Sequence, residues 1–209
     1  MRKLILASLA WLGLIASAYA QQMPVNAINQ NGVQVGNVRY PTFAATSIGI
    51  VPAASATDIF CISPSTSRNV YITNFGFSGT AGTAVTAHVA LMRRALLDTG
   101  GTATTGIAAP AGASEVGGQA APTATLIAYT ANPTINDTNP AVLRGFVLGI
   151  PTSTAAIAQT VNLPFGTVAG QFNTELTLAK GSTQQLCVNL NSTTINSGFL
   201  DVWIEWQEY

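Results

Sequence analysis

The chain has 209 residues, of which only 8% are charged, and its formal net charge at pH 7 is zero. A chain with so few charges lacks the clustered lysine and arginine side chains that binding to DNA or RNA requires, so no nucleic-acid partner is expected. The length fits one domain of sandwich or barrel type and is enough to bury a sizeable core.

Residues 1–20 have the pattern of a cleavable secretory signal peptide. Arg2 and Lys3 form a short basic head, residues 4–18 are an apolar run, and Ala18-Tyr19-Ala20 offers a small-x-small cleavage pattern. The apolar run is too short to span a membrane comfortably, and no later segment is long enough for a span. We therefore expect a secreted, periplasmic or cell-surface protein whose mature chain has no membrane span.

Residues 21–52 are polar, rich in Asn and Gln, and only loosely alternating. We expect an N-terminal polar arm here, which either adds a strand to a neighbouring subunit or is a flexible leader. The sandwich domain is then expected to cover residues 53–209.

From residue 53 onward, alternation of apolar and polar side chains replaces helical periodicity. In residues 199–206 the even positions are apolar and the odd positions carry Asp201 and Glu205, as in a half-buried antiparallel strand. Clusters of Gly, Pro, Asn and Thr separate the segments. The pattern indicates an all-β fold, an antiparallel β-sandwich of jelly-roll or immunoglobulin-like type. The predicted strands are 58–62, 69–77, 84–94, 124–130, 142–150, 158–163, 172–178, 186–190 and 199–206.

Residues 95–122 are a long stretch rich in Ala, Gly, Thr and Pro, and a loop of that length is either functional or disordered. Asp98-Thr99-Gly100 within it is similar to the active-site turn of retroviral-type aspartic proteases, in which two carboxylates share a proton to activate water. Gly101 follows, where that family usually has Ala or Ser. A Gly-Gly turn with a solvated Asp98 explains the motif as well, so the protease is a remote alternative.

Other candidate catalytic and metal-binding residues have simpler interpretations. His88 is the single histidine, and a metal site would need two or three ligands close together, so we expect a surface or hydrogen-bonded core histidine. Residues 136–140 offer several oxygens, but they favour an Asx turn that ends at proline over a calcium site. Arg93 and Arg94 point to opposite faces of a predicted strand and are expected to be solvated. We expect no catalytic residue, no metal and no cofactor.

Cys61 and Cys187 are the two cysteines of the chain. In an exported protein an even pair predicts a disulfide, and the alternative is two buried free thiols. A bridge that closes so long a loop would stabilise the fold by roughly 4–5 kcal/mol in the chain-entropy model.

Three aromatic residues at the C-terminal end are candidate binding residues. Phe199, Trp203 and Tyr209 could form an exposed strip, and an aromatic strip beside carboxylates suits a glycan. Burial of this face against another sheet or subunit is the favoured alternative. Asp201 and Glu205 lie roughly 13 Å apart along an extended strand, which is too far for a glycosidase pair.

Five short segments carry a family resemblance. They are residues 57–62 (TDIFCI), 98–102 (DTGGT), 129–133 (YTANP), 185–191 (QLCVNLN) and 203–206 (WIEW). In this order they resemble a group of uncharacterised β-sandwich proteins encoded by tailed phages and prophages, over residues 53–209. The resemblance implies a virion-associated structural protein and supplies no catalytic residues.

These patterns together predict an exported, non-enzymatic structural or surface-interaction protein that acts by assembly or surface contact. The expected partners are protein subunits, including copies of this chain, or a cell-surface glycan. A carbohydrate-binding module that uses the aromatic face is the alternative function. A location in the virion is the alternative to secretion.

Overall fold

The computed structural model describes residues 27–28, 34–35, 42–105, 121–154, 160–165 and 176–209. Within these ranges no helix has both the length and the hydropathy that crossing a membrane requires. The predicted signal peptide and residues 106–120 of the predicted long loop lie outside the described residues. The chain divides into two units, residues 1–39 and 40–209. In the first unit β1 (Ala27–Ile28) pairs antiparallel with β2 (Gln34–Val35).

The second unit consists of two antiparallel sheets. One has the strand order β10-β5-β13-β3, with β11 also pairing with β5, and the other has the order β7-β8-β4-β12-β6-β9. Their strands are β3 (Thr42–Ile50), β4 (Ala56–Ser63), β5 (Val70–Thr80), β6 (Val85–Arg94), β7 (Ala103–Thr105), β8 (Thr125–Tyr129), β9 (Ala141–Ile150), β10 (Thr160–Pro164), β11 (Thr177–Leu178), β12 (Gln185–Thr193) and β13 (Phe199–Glu208).

The order of the strands identifies the sandwich as a jelly roll. Without the short β11 and the β7–β8 hairpin, eight strands remain, and in chain order they form the sheets 1-8-3-6 and 2-7-4-5. The first strand therefore lies beside the last and the second beside the seventh, which is the nested pairing of a jelly roll. In an immunoglobulin fold the first strand would pair with the second. The predicted all-β sandwich is confirmed, and the first of its two predicted topologies is the one observed.

The core lies between the two sheets and is built from alternate residues of each strand. On β13 the even positions from Leu200 to Trp206 are buried, whereas the odd positions face outward. Trp206 is fully buried and its ring packs against Phe43 of β3 at a centroid distance of 5.7 Å. Burial of such side chains contributes about 1.5–3 kcal/mol each, so the alternation read from the sequence is also what holds the sheets together.

Two segments differ from the sequence prediction. Residues 42–50, which were assigned to the polar arm, form β3 and pair with β13 inside the sandwich, so the boundary at residue 53 lies too late. The alternation of β3 between core and surface is difficult to recognise in the sequence because several of its side chains are small. Residues 103–105 of the predicted long loop form β7, which pairs with β8. Residues 172–175 of the predicted strand 172–178 lie outside the described residues, and Thr177–Leu178 form β11.

Candidate functional site

The outer face of the six-stranded sheet carries a group of buried polar side chains, which we call the Asp98 cluster. Its members come from three strands and from the loop after β6: Asp58 on β4, Arg94 on β6, Asp98 in the loop, and Gln185 and Asn189 on β12. All five are buried. Strand alternation puts the β12 members outside the core, because Leu186 and Val188 point inward, whereas Gln185 and Asn189 alternate with them and point outward.

An ion pair between Arg94 and Asp58 is the centre of this cluster. The guanidinium donates through Nε to Asp58 Oδ2 and through Nη2 to Asp58 Oδ1, the latter at 2.8 Å. Asn189 Nδ2 also donates to Asp58 Oδ1. The expectation of a solvated Arg94 is wrong, because its side chain is only 2% exposed. A buried charge needs a paired counter-charge, and Asp58 supplies it.

The predicted disulfide lies next to this pair. Cys61 and Cys187 are directly opposite each other in the β4–β12 register, and their sulfur atoms are bonded. Both residues are buried, and Tyr129 packs against them. The sulfur of Cys61 is 3.9 Å from Asp98 Oδ2. The bridge therefore fixes the pairing of the two strands that carry most of the Asp98 cluster.

Asp98 points into the protein. The predicted Gly-Gly turn is present, with positive φ angles of 65° at Gly100 and 71° at Gly101. The predicted solvation of Asp98 is wrong, because the residue is 8% exposed and its Oδ1 lies 3.9 Å from Arg94 Nε. Burial raises the pKa of Asp98 to about 7, the nearby Asp58 carboxylate acts in the same direction, and Arg94 opposes the shift.

The Asp137 carboxylate holds the loop that follows β6, which contains Asp98. Asp137 Oδ1 accepts from the backbone N–H of Asn139, which is the predicted Asx turn, and Oδ2 accepts from the N–H of Ala95. These two backbone hydrogen bonds lower the pKa of Asp137. Asn136 Nδ2 donates to the carbonyl of Leu97 at 2.7 Å. Residues 95–97, which precede Asp98, are thus fastened to the turn at residues 136–139.

This geometry favours a structural role for Asp98. In the protease arrangement a carboxylate meets its symmetry mate across a dimer, whereas the carboxyl of Asp98 is buried and interacts with Asp58 of the same chain, which is paired with Arg94. Ligand atoms of Asp58, Cys61, Asp98 and Cys187 lie within 4.8 Å of one another. A metal would need free donors, but the two sulfur atoms are bonded together and Asp58 is bound by Arg94.

The raised pKa of Asp98 makes stability depend on pH. The folded state holds the Asp98 proton more tightly than the unfolded state, whose pKa is near 3.8. The stabilisation that this tighter proton binding gives is therefore fully present below about pH 4 and is lost as pH rises towards 7. The free energy of unfolding falls over this range by up to about 1.4 kcal/mol per pH unit. We expect Asp98→Asn to remove this slope when the free energy of unfolding is measured in urea between pH 4 and 8. Glu205→Gln is the control that should keep it, and equal slopes for wild type and Asp98→Asn would contradict this assignment.

The five-stranded sheet presents a different surface around Trp203. Trp203 is half-buried, and its register partners are Gly76 on β5 and Thr46 on β3. A Cβ atom at Gly76 would overlap the ring atoms Cε2, Cζ2 and Nε1 of Trp203. The indole therefore leans across from β13 and rests directly on the backbone of β5. This contact was not predicted, although a glycine in a strand interior is a known sign of close approach.

The structure separates the three aromatic residues that were grouped as candidate binding residues. Phe199 is 43% exposed, but it lies four residues from Trp203, about 13 Å along the strand. Tyr209 is half-buried and packs against the main core. They do not form a contiguous strip, and Trp203 is the only one of the three that lies at the centre of this face.

A third surface lies at the edge of the six-stranded sheet. A shallow groove of about 300 Å³ runs over the outer face of β6 and β9, and its lining includes His88, Met92, Val142 and Val147. His88 is exposed there, in agreement with the prediction of a surface histidine. Sequence reasoning did not single out this groove, because it is formed by the pairing of two strands that lie far apart along the chain.

Comparison with protein-family models, with curated proteins and with solved structures finds no match to this chain.

Proposed function

We propose that this chain is an exported, non-enzymatic structural protein of phage or prophage type, which acts by assembly through the exposed edge of β9. The observation that carries the proposal is that β9, a ten-residue strand, is the outermost strand of its sheet. No other described strand pairs with its outer edge. The outermost strand of a sheet directs a row of backbone N–H and C=O groups away from the sheet, and such a row is a template for another strand.

The side chains of β9 favour association over protection of the edge. Val142 and Val147 are 59% and 61% exposed. Natural proteins usually protect an edge with lysines, prolines or inward charges, and β9 carries a single charge, Arg144. The guanidinium of Arg144 lies over the ring of Phe165 at 5.8 Å. The apolar groove beside the strand adds further surface that burial would stabilise.

The partner that best fits this edge is a second copy of the chain. Two antiparallel copies of one edge strand can pair about a twofold axis, and the same patch then serves both subunits. The low overall charge leaves little electrostatic repulsion between copies. Assembly of this kind needs shape and hydrogen-bond complementarity and no chemical step.

Two further features support the exported, non-enzymatic part of the proposal. A buried disulfide such as Cys61–Cys187 persists in oxidising compartments and is rare in the cytosol. The jelly roll is a fold that viral capsid and lectin domains share, which agrees with the phage resemblance at the level of the fold.

A charge at the centre of the edge tests the proposal. We expect Val147→Lys to keep the protein monomeric, because a lysine on an edge strand opposes pairing with a second copy. Protein from periplasmic expression of the full chain would be measured by size-exclusion chromatography with light scattering. Val51→Lys is the matched control, since Val51 is 58% exposed and lies outside β9. A wild-type protein that is monomeric at all concentrations would refute assembly through β9.

A further inference from the structure

We infer that the outer face of the five-stranded sheet holds a binding subsite for the ring of a neutral sugar, built on Trp203. This subsite lies on the sheet that does not contain β9. It therefore goes beyond the assembly proposed above and does not depend on it.

The first argument is the position of the Trp203 indole on the backbone of β5. Because Gly76 has no side chain, the ring of Trp203 lies against the strand backbone in the space that a Cβ would fill. One side of the indole is covered by the sheet, and the residue as a whole stays half-buried rather than buried. An aromatic ring supported from below and open above can stack against the C–H face of a sugar ring, which is the apolar surface of an otherwise polar ligand.

The second argument is the polar side chains around the ring. Asp201 and Glu205 are the outward residues on either side of Trp203 along β13. Across the sheet the register runs from Asn162 on β10 through Gly76 and Trp203 to Thr46 on β3. Carboxylate, amide and hydroxyl groups therefore surround the ring on four sides, at the spacing of neighbouring strand positions. These are the groups that accept from and donate to sugar hydroxyls.

The carboxylates of Asp201 and Glu205 differ in their hydrogen bonds. Asp201 Oδ1 accepts from the backbone N–H of Gly49 at 2.8 Å, which orients that side chain. The Glu205 carboxylate makes no hydrogen bond or ion pair with any other described residue. It is half-buried beside Trp203 and in register with Asn74 on β5. Glu205 is therefore the carboxylate best placed to accept from a ligand hydroxyl.

The charge of the face selects the ligand class. None of the outward positions of β3, β5, β10 and β13 carries lysine or arginine. A sulfated, phosphorylated or uronic-acid ligand would meet two carboxylates with no cation to pair with, which is unfavourable. A neutral, hydroxyl-rich ring has no such penalty, so the geometry points to a neutral hexose or N-acetylhexosamine unit.

Binding of neutral oligosaccharides would test this subsite. The probes are β-1,4-glucan, α-1,4-glucan and β-1,4-linked N-acetylglucosamine oligomers, titrated by calorimetry and screened together with anionic oligosaccharides on an array. We expect at least one neutral probe to bind, the affinity to fall about tenfold or more in Trp203→Ala, and a smaller loss in Glu205→Gln. Phe199→Ala is the matched control, because it removes an exposed aromatic residue from the same strand about 13 Å away.

A second variant separates loss of the site from loss of the fold. Gly76→Ala keeps the indole but displaces it from the backbone of β5, so it should weaken binding, whereas cooperative unfolding in urea should show that the core is intact. If no neutral probe binds the wild type, if only anionic probes bind, or if Trp203→Ala binds as tightly as wild type, the inference is refuted. Light scattering on the same samples reports assembly separately, so failure of one proposal is distinguishable from failure of the other.

Discussion

Arg94→Leu is expected to lower the free energy of unfolding by about 3–5 kcal/mol. The substitution removes the only cation of the Asp98 cluster and leaves the Asp58 carboxylate buried with Asn189 as its remaining side-chain donor. It also removes the charge that opposes the raised pKa of Asp98. The loss comes mainly from an uncompensated buried charge, since an intact buried ion pair contributes little net stability.

Urea denaturation at neutral pH would measure this effect. Arg93→Leu is the matched control, because the neighbouring arginine is half-buried and lies outside the Asp98 cluster, so a smaller loss is expected. The double variant Arg94→Leu/Asp58→Leu should recover part of the stability, since it replaces both charges with apolar groups. If Arg94→Leu lowers the free energy of unfolding no more than Arg93→Leu does, the ion pair does not have this role.

Replacement of both cysteines, in Cys61→Ala/Cys187→Ala, is expected to cost about 4–5 kcal/mol. The two residues are 126 positions apart, so the bridge removes a large loop entropy from the unfolded chain. It also holds β4 and β12 in register at the centre of the six-stranded sheet. The double variant should therefore melt well below the oxidised wild type in thermal denaturation.

Reductant provides the control for the disulfide. Wild type that is unfolded and refolded with a reducing agent should approach the stability of the double variant, and the double variant itself should not respond to the reductant. If oxidised wild type and the double variant unfold at the same urea concentration, the bridge does not stabilise the fold and the prediction is contradicted.

Local patterns predicted the strands well where large and polar side chains alternate. The residues of β13 alternate strictly between core and surface, and the predicted strand 199–206 lies within the observed Phe199–Glu208. The disulfide was also predictable, because two cysteines in an exported chain leave one pairing. The choice between a jelly roll and an immunoglobulin-like sandwich depends on which strands pair across long sequence distances, and periodicity carries no information on that.

The candidate sites were less predictable, because their parts meet only in the fold. The burial of Arg94 depends on Asp58, which lies 36 residues earlier on another strand. The raised pKa of Asp98 depends on its burial in the folded chain and on the nearby Asp58 carboxylate. For Trp203, a local signal did exist in Gly76, a glycine inside a strand, but its partner could be named only once β5 and β13 were paired.

Amide hydrogen exchange along β9 tests the proposed assembly most directly. If two copies pair through this edge, the outward-facing amide groups of β9 should exchange more slowly in concentrated than in dilute protein, because they become hydrogen-bonded between subunits. The edge strand β3 of the other sheet should show no such dependence. Exchange in β9 that is fast and independent of concentration would contradict assembly through this edge.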